Sequence, residues 1–166
     1  MALAIKRTVI FPHTREQVWR ALVDPAALAG WLMPNDFVAE QGRCFRLQTD
    51  PAPGFDGMVR AKVLSIDAPR MMRWQWSTDT IDTVVTFRLH PDARGTVLEF
   101  RQEGFQGVRA IMMSFVMRSI IKKVLTCMLP AYLDQMPDDG KPLPRVALNK
   151  PRVPTAVNHV PESVLV

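Results

Sequence analysis

Residues 107–136, GVRAIMMSFVMRSIIKKVLTCMLPAYLDQM, constrain the fold of this chain more than any other stretch. Apolar side chains at Ile111, Met113, Met117, Ile120, Ile121, Val124, Met128 and Tyr132 recur every three or four residues, which lays a broad stripe along one side of a helix. Arg118, Lys122 and Thr126 recur every four residues on the other side, so the spacing predicts a helix with one apolar face. Continuous to Leu129, it would extend roughly 35 Å at about 1.5 Å per residue, the span of a small domain. Covering those side chains is worth on the order of 12–24 kcal/mol before ordering entropy is subtracted, so a large apolar surface has to lie against them. Pro130 has no N–H and collides with the carbonyl four residues back, which predicts a kink and a short last turn carrying Tyr132 and Leu133.

The preceding chain supplies that surface. Residues 3–11 read as a first strand ended by Pro12, and Thr14 to Gln17 form a capping box that starts a helix carrying Val18, Trp19, Ala21 and Leu22. Asp24-Pro25 ends that helix and opens a second short one reaching Trp31. Strands are then expected at 44–48, 58–66, 71–77, 83–90 and 96–102, separated by turns rich in Pro, Gly and Asp. The clearest is MMRWQWS, where Met72, Trp74 and Trp76 alternate with Arg73 and Gln75. Short connections imply an antiparallel meander, and the economical α+β solution is a curved sheet of about six strands wrapped round the long helix. Residues 1–136 are thus expected to form the domain, with the proline-rich 137–166 as a flexible tail. The last residues, ESVLV, bear a weak likeness to peptides that add as strands to PDZ domains.

A net charge of +5 permits anionic partners, but the basic residues are scattered and neither a basic helix nor an aromatic RNA-binding motif appears, which argues against nucleic acid. The N-terminal MALAIKRTVIF is too short and too charged for a signal peptide, and Arg109, Arg118, Lys122 and Lys123 interrupt the long apolar run, which disfavours a membrane span. Met, Phe and Ile opposite Lys and Arg leave contact with a membrane surface as the lesser reading of that helix. Cys44 and Cys127 are solitary, and the expectation is a reduced, cytoplasmic protein with both thiols as small core residues.

Four segments carry a family resemblance: EQVWRALVDPAALAGWLMP at 16–34, GRCFRLQ at 42–48, GMVRAKVLSIDAPRMMRWQW at 57–76 and TVVTFRLHPDARGTVLEFRQEGF at 83–105. Together with the element order they resemble the START-like (SRPBCC) superfamily, and within it the subgroup named for the activator of heat-shock protein 90 ATPase. The resemblance implies the helix-grip fold. Its members include lipid carriers, hormone receptors and polyketide cyclases, so it leaves function open.

A sheet gripping a helix leaves room for a cavity between them. The expected lining is Phe45, Met72, Trp74, Trp76, Phe87, Leu98 and Phe100 from the sheet and Met113, Met117 and Ile121 from the helix, with Trp31 and Phe37 near an entrance. For each of these the plainer reading is core packing. No catalytic residue is assigned: His13 and His90 fall in turns, His159 falls in the tail, and no nucleophile elbow or metal-spaced cluster is present. Gln102, Arg60 and Asp82 are the polar side chains nearest to the inner face, and each is expected on a solvated one. No cofactor is implied. Three readings remain open, namely a binder of a small hydrophobic molecule, a co-chaperone or protein-interaction module with an unknown partner, and an enzyme of the polyketide cyclase or aromatase kind.

Overall fold

The computed structural model describes residues 3–51 and 56–136, so the 137–166 tail and its C-terminal motif lie outside the described residues. Strand β1 (Leu3–Phe11) is followed by helices α1 (Arg15–Val23) and α2 (Pro25–Trp31). Strands β2 (Cys44–Gln48), β3 (Met58–Asp67), β4 (Met71–Ser77), β5 (Asp82–Asp92) and β6 (Gly95–Phe105) come next. Helix α3 (Val108–Lys123), a π-helical turn (Val124–Met128) and α4 (Leu129–Gln135) complete the order. The strands form one antiparallel sheet in the order β1-β6-β5-β4-β3-β2. This is the expected helix-grip arrangement, with the first strand returning to pair beside the last.

Local chemistry sets the ends of these elements. Thr14 Oγ1 accepts from the Gln17 N–H while Gln17 Oε1 accepts from the Thr14 N–H, the reciprocal cap that starts α1. Asp24 accepts from the Ala26 N–H, and Pro25 sits where a helix needs no N–H donor. At the β5–β6 turn a side chain cannot fit, because a Cβ on Gly95 would lie 2.1 Å from the Phe11 carbonyl oxygen. A bulge between Val63 and Ser65 adds local twist where β3 pairs with β4.

The irregularity expected at Pro130 takes the form of the wide turn just before it, in which the Leu129 N–H reaches the Val124 carbonyl. The segment after it returns to the start of the fold, and His13 Nε2 lies 3.0 Å from Asp134 Oδ1.

Two expectations are corrected. The long helix buries Ala110, Met113, Ser114, Ile121, Val124 and Leu125, so its packed stripe passes beside Ile111 rather than through it. Val108, Ile111, Met112 and Phe115 are exposed, which leaves apolar residues on both sides of the first turns. The second correction concerns the thiols: Cys44 and Cys127 are exposed, not core. Phe45 and Leu47 occupy the inner face of β2, and a period of two then turns Cys44 outward.

Candidate functional site

The inner face of the sheet is built in rows. Cross-strand pairing places Val63, Trp74, Val85, Gln102 and Ile5 side by side across five strands. Met72, Phe87 and Phe100 form the next row. The aromatic rings meet mostly edge to face, Phe37 with Phe45 at 4.9 Å, Phe45 with Trp74 at 5.2 Å and Trp74 with Phe87 at 5.0 Å between centroids. Phe87 and Phe100 continue the chain at 5.5 Å.

Between these rows and α3 lies a cavity of about 90 Å³. Trp31, Trp74, Trp76, Phe87 and Phe100 border it from one side, and Met113, Met117 and Ile121 from the helix. The other expected residues, Phe37, Phe45, Met72 and Leu98, are buried but do not border it. Phe37 and Phe45 pack against the Trp74 indole, and Met72 pairs beside Phe87. Trp31 and Phe37 do not stand at an entrance: they are 1% and 2% exposed, and the indole N–H of Trp31 donates to the Ala21 carbonyl at 2.7 Å. The half-buried lining residues are Leu32, Thr78, Thr80, Met117 and Ile120, so the mouth lies between the end of α2, the β4–β5 turn and the middle of α3. Nothing in the sequence marks Thr78 and Thr80 as lining, because turn residues carry no periodicity.

No ionisable side chain borders the cavity among the described residues. Arg60 and Asp82 lie on solvated faces as expected: Arg60 pairs with Asp56 at 3.3 Å. Asp82 accepts from Gln75 at 3.0 Å and Ser77 at 2.7 Å, and these hydrogen bonds hold its carboxyl below the usual range. Gln102 departs from the expectation, being 1% exposed and on the cavity wall. It shares the period-two face of Leu98 and Phe100, and a partner on the neighbouring strand makes its burial tolerable.

That partner fixes the orientation of the amide. Thr83 Oγ1 donates its single proton to the Trp76 carbonyl at 3.0 Å. It can therefore only accept from Gln102, whose Nε2 stands 2.9 Å away. Gln102 Oε1 is left buried without a donor, and Trp74 Nε1 is likewise buried without an acceptor. Among the described residues no group of His, Cys, Asp or Glu converges as metal donors, and no helix is long and apolar enough to cross a membrane.

Comparison with known proteins gives a consistent fold. A family model described as Activator of Hsp90 ATPase homolog 1-like protein matches residues 12–133. The chain is similar to the crystal structure of protein MLL2253 from Mesorhizobium loti, at 26% identity and a TM-score of 0.70, covering 82% of this chain and 99% of that one. The solution structure of Bacillus halodurans protein BH1534 is similar at 28% identity and a TM-score of 0.61, with 80% and 95% covered. DynU16, from the dynemicin biosynthetic locus, shares the fold at 18% identity and a TM-score of 0.64, with 79% of this chain and 47% of that one covered. No curated protein sequence matches the chain.

Proposed function

The chain belongs to the Activator of Hsp90 ATPase homolog 1-like family, and from that premise we propose that it binds a small hydrophobic molecule between its sheet and α3. The observation that carries this reading is the apolar cavity itself, walled by an aromatic sheet face and closed by two methionines of the helix. Its size sets the scale of the guest. Drug-sized ligands occupy roughly 300–1,000 Å³, whereas a cavity of about 150 Å³ accepts benzene. At about 90 Å³ the site takes a short chain as it stands, and a single ring once Met113 or Met117 changes rotamer to make room. In this reading Trp31, Trp74, Trp76, Phe87, Phe100, Met113, Met117 and Ile121 touch the guest, while Phe37, Phe45, Met72 and Leu98 hold the wall. Two exposed free thiols, Cys44 and Cys127, suit a reducing compartment, and a cytoplasmic location goes with it.

The test is a titration of methyl-labelled methionines with toluene, followed by NMR. Saturable shifts at Met113 and Met117, with the exposed Met112 unmoved, support the reading. Shifts confined to Met112, or none, refute it.

A protein-interaction role is favoured by one surface feature. Val108, Ile111, Met112 and Phe115 stand exposed at the i, i+3, i+4, i+7 spacing with which helices dock into grooves. The partner that the family description names is a chaperone ATPase. Capture of such an ATPase by the wild-type chain, lost in Phe115→Ser, is the expected result, and equal capture by both contradicts it.

A further inference from the structure

Among the described residues that line the cavity, two hold a buried polar atom without a partner, Trp74 a donor and Gln102 an acceptor. Gln102 Oε1 cannot turn away, because the Thr83 hydroxyl has already given its proton to the Trp76 carbonyl and holds the amide by its nitrogen. Trp74 Nε1 is an obligate donor. The two residues stand in one row on the same face, separated by Val85 of the intervening strand. Two strand spacings put their backbones about 10 Å apart, with both side chains reaching into the space between sheet and helix. A buried donor or acceptor left unpaired gives up its bond to water without replacing it, so a guest that pairs both atoms recovers that loss.

We infer that the natural guest carries a hydroxyl, which donates to Gln102 Oε1 and accepts from Trp74 Nε1, on a body of one aromatic ring or a short aliphatic chain. This rests on the proposed binding of a small hydrophobic molecule and names its chemical class. A hydroxyl is the smallest group that is donor and acceptor at once. A ketone or ether serves Trp74 alone. A carboxylate or phosphate is excluded by the absence of any cation from the lining among the described residues, since burying an unpaired charge is far costlier than burying a hydroxyl. An ammonium group meets the same objection, with no carboxylate among the described residues of the wall to receive it. A phenol or a short alcohol satisfies every condition.

Phenol and toluene differ by a hydroxyl in place of a methyl, and they form the test pair. Their affinities for the full chain and for Gln102→Leu are measured by calorimetric titration, and the Trp74 indole N–H resonance is followed in the wild type. The expected result is phenol binding at least about tenfold more tightly than toluene, a preference lost in Gln102→Leu, with phenol giving the indole N–H a downfield hydrogen-bond shift beyond the ring-current shift that toluene gives. Equal affinities mean that water alone meets the two atoms, which overturns this inference and leaves the apolar site standing. A phenol preference that survives in Gln102→Leu places the hydroxyl elsewhere and also overturns it. If neither compound binds, the ligand-binding reading itself fails. Should Gln102→Leu not fold, the indole resonance decides: no response specific to phenol overturns the assignment.

Discussion

Trp74 and Phe87 meet edge to face at 5.0 Å between ring centroids, and the indole, with no exposed surface, is also part of the cavity wall. The pair joins two neighbouring strands, and Phe45 and Phe37 pack on the same indole. Trp74→Ala removes the centre of this cluster. Unfolding in urea should show a loss of about 3–5 kcal/mol, towards the lower figure because one side of the ring already borders empty space. A loss below about 1 kcal/mol would mean that the ring is not packed as described.

Stability should fall on the acid side. Asp36 accepts from the Arg46 backbone N–H and, at 3.1 Å, from its guanidinium, and Asp82 accepts from Gln75 and Ser77. In Asp36 the backbone hydrogen bond is the main cause of a lowered pKa, and in Asp82 the Gln75 hydrogen bond is. A carboxyl with a depressed folded pKa stabilises the fold above its unfolded value of about 3.9 and loses that contribution as pH drops through the folded value. Urea midpoints should therefore be level from about pH 7 to pH 5 with respect to these groups and decline below about pH 4. Asp82→Asn should flatten part of that decline, and an unchanged slope would contradict the assignment.

The exposed stripe of α3 should tolerate polar substitution. Phe115 is 61% exposed and Met112 is 63% exposed, so Phe115→Ser and Met112→Gln should each change stability by no more than about 0.5 kcal/mol. Thermal unfolding distinguishes this from a packed helix face, for which Phe115→Ser would cost several times as much.

A chain ending at Pro137 should fold as the full chain does. The sheet, the helices and the cavity all lie within residues 3–136, and the sequence beyond them has no sustained apolar period. Removing 138–166 should change stability by less than about 1 kcal/mol. Loss of cooperative unfolding on truncation would show that those residues belong to the domain.

The alternation of Met72, Trp74 and Trp76 with Arg73 and Gln75 makes β4 legible in the sequence, since only a strand puts those three residues on one face. Thr14 and Gln17 mark the start of α1 by a chemistry that local sequence fully specifies. The face of α3 was harder to read. Val108, Ile111, Met112, Phe115 and Met117 surround the helix with apolar side chains, so periodicity there has no unique phase, and packing against the sheet selects Ala110, Met113 and Ser114. Gln102 eluded sequence reasoning for a related reason. Its type suggests solvent, and only the diagonal partner Thr83 on the adjacent strand, nineteen positions away, makes a buried amide acceptable. The mouth of the cavity depends on where the Thr78–Thr80 turn comes to rest, a tertiary matter.

The most direct test of the central claim is a high-resolution crystal structure of the chain grown with toluene. Ring-shaped density between the Trp74 and Phe87 side chains and the methionines Met113 and Met117 is the predicted result. A space filled by repacked side chains, or toluene found only on the outer stripe around Met112 and Phe115, would contradict it.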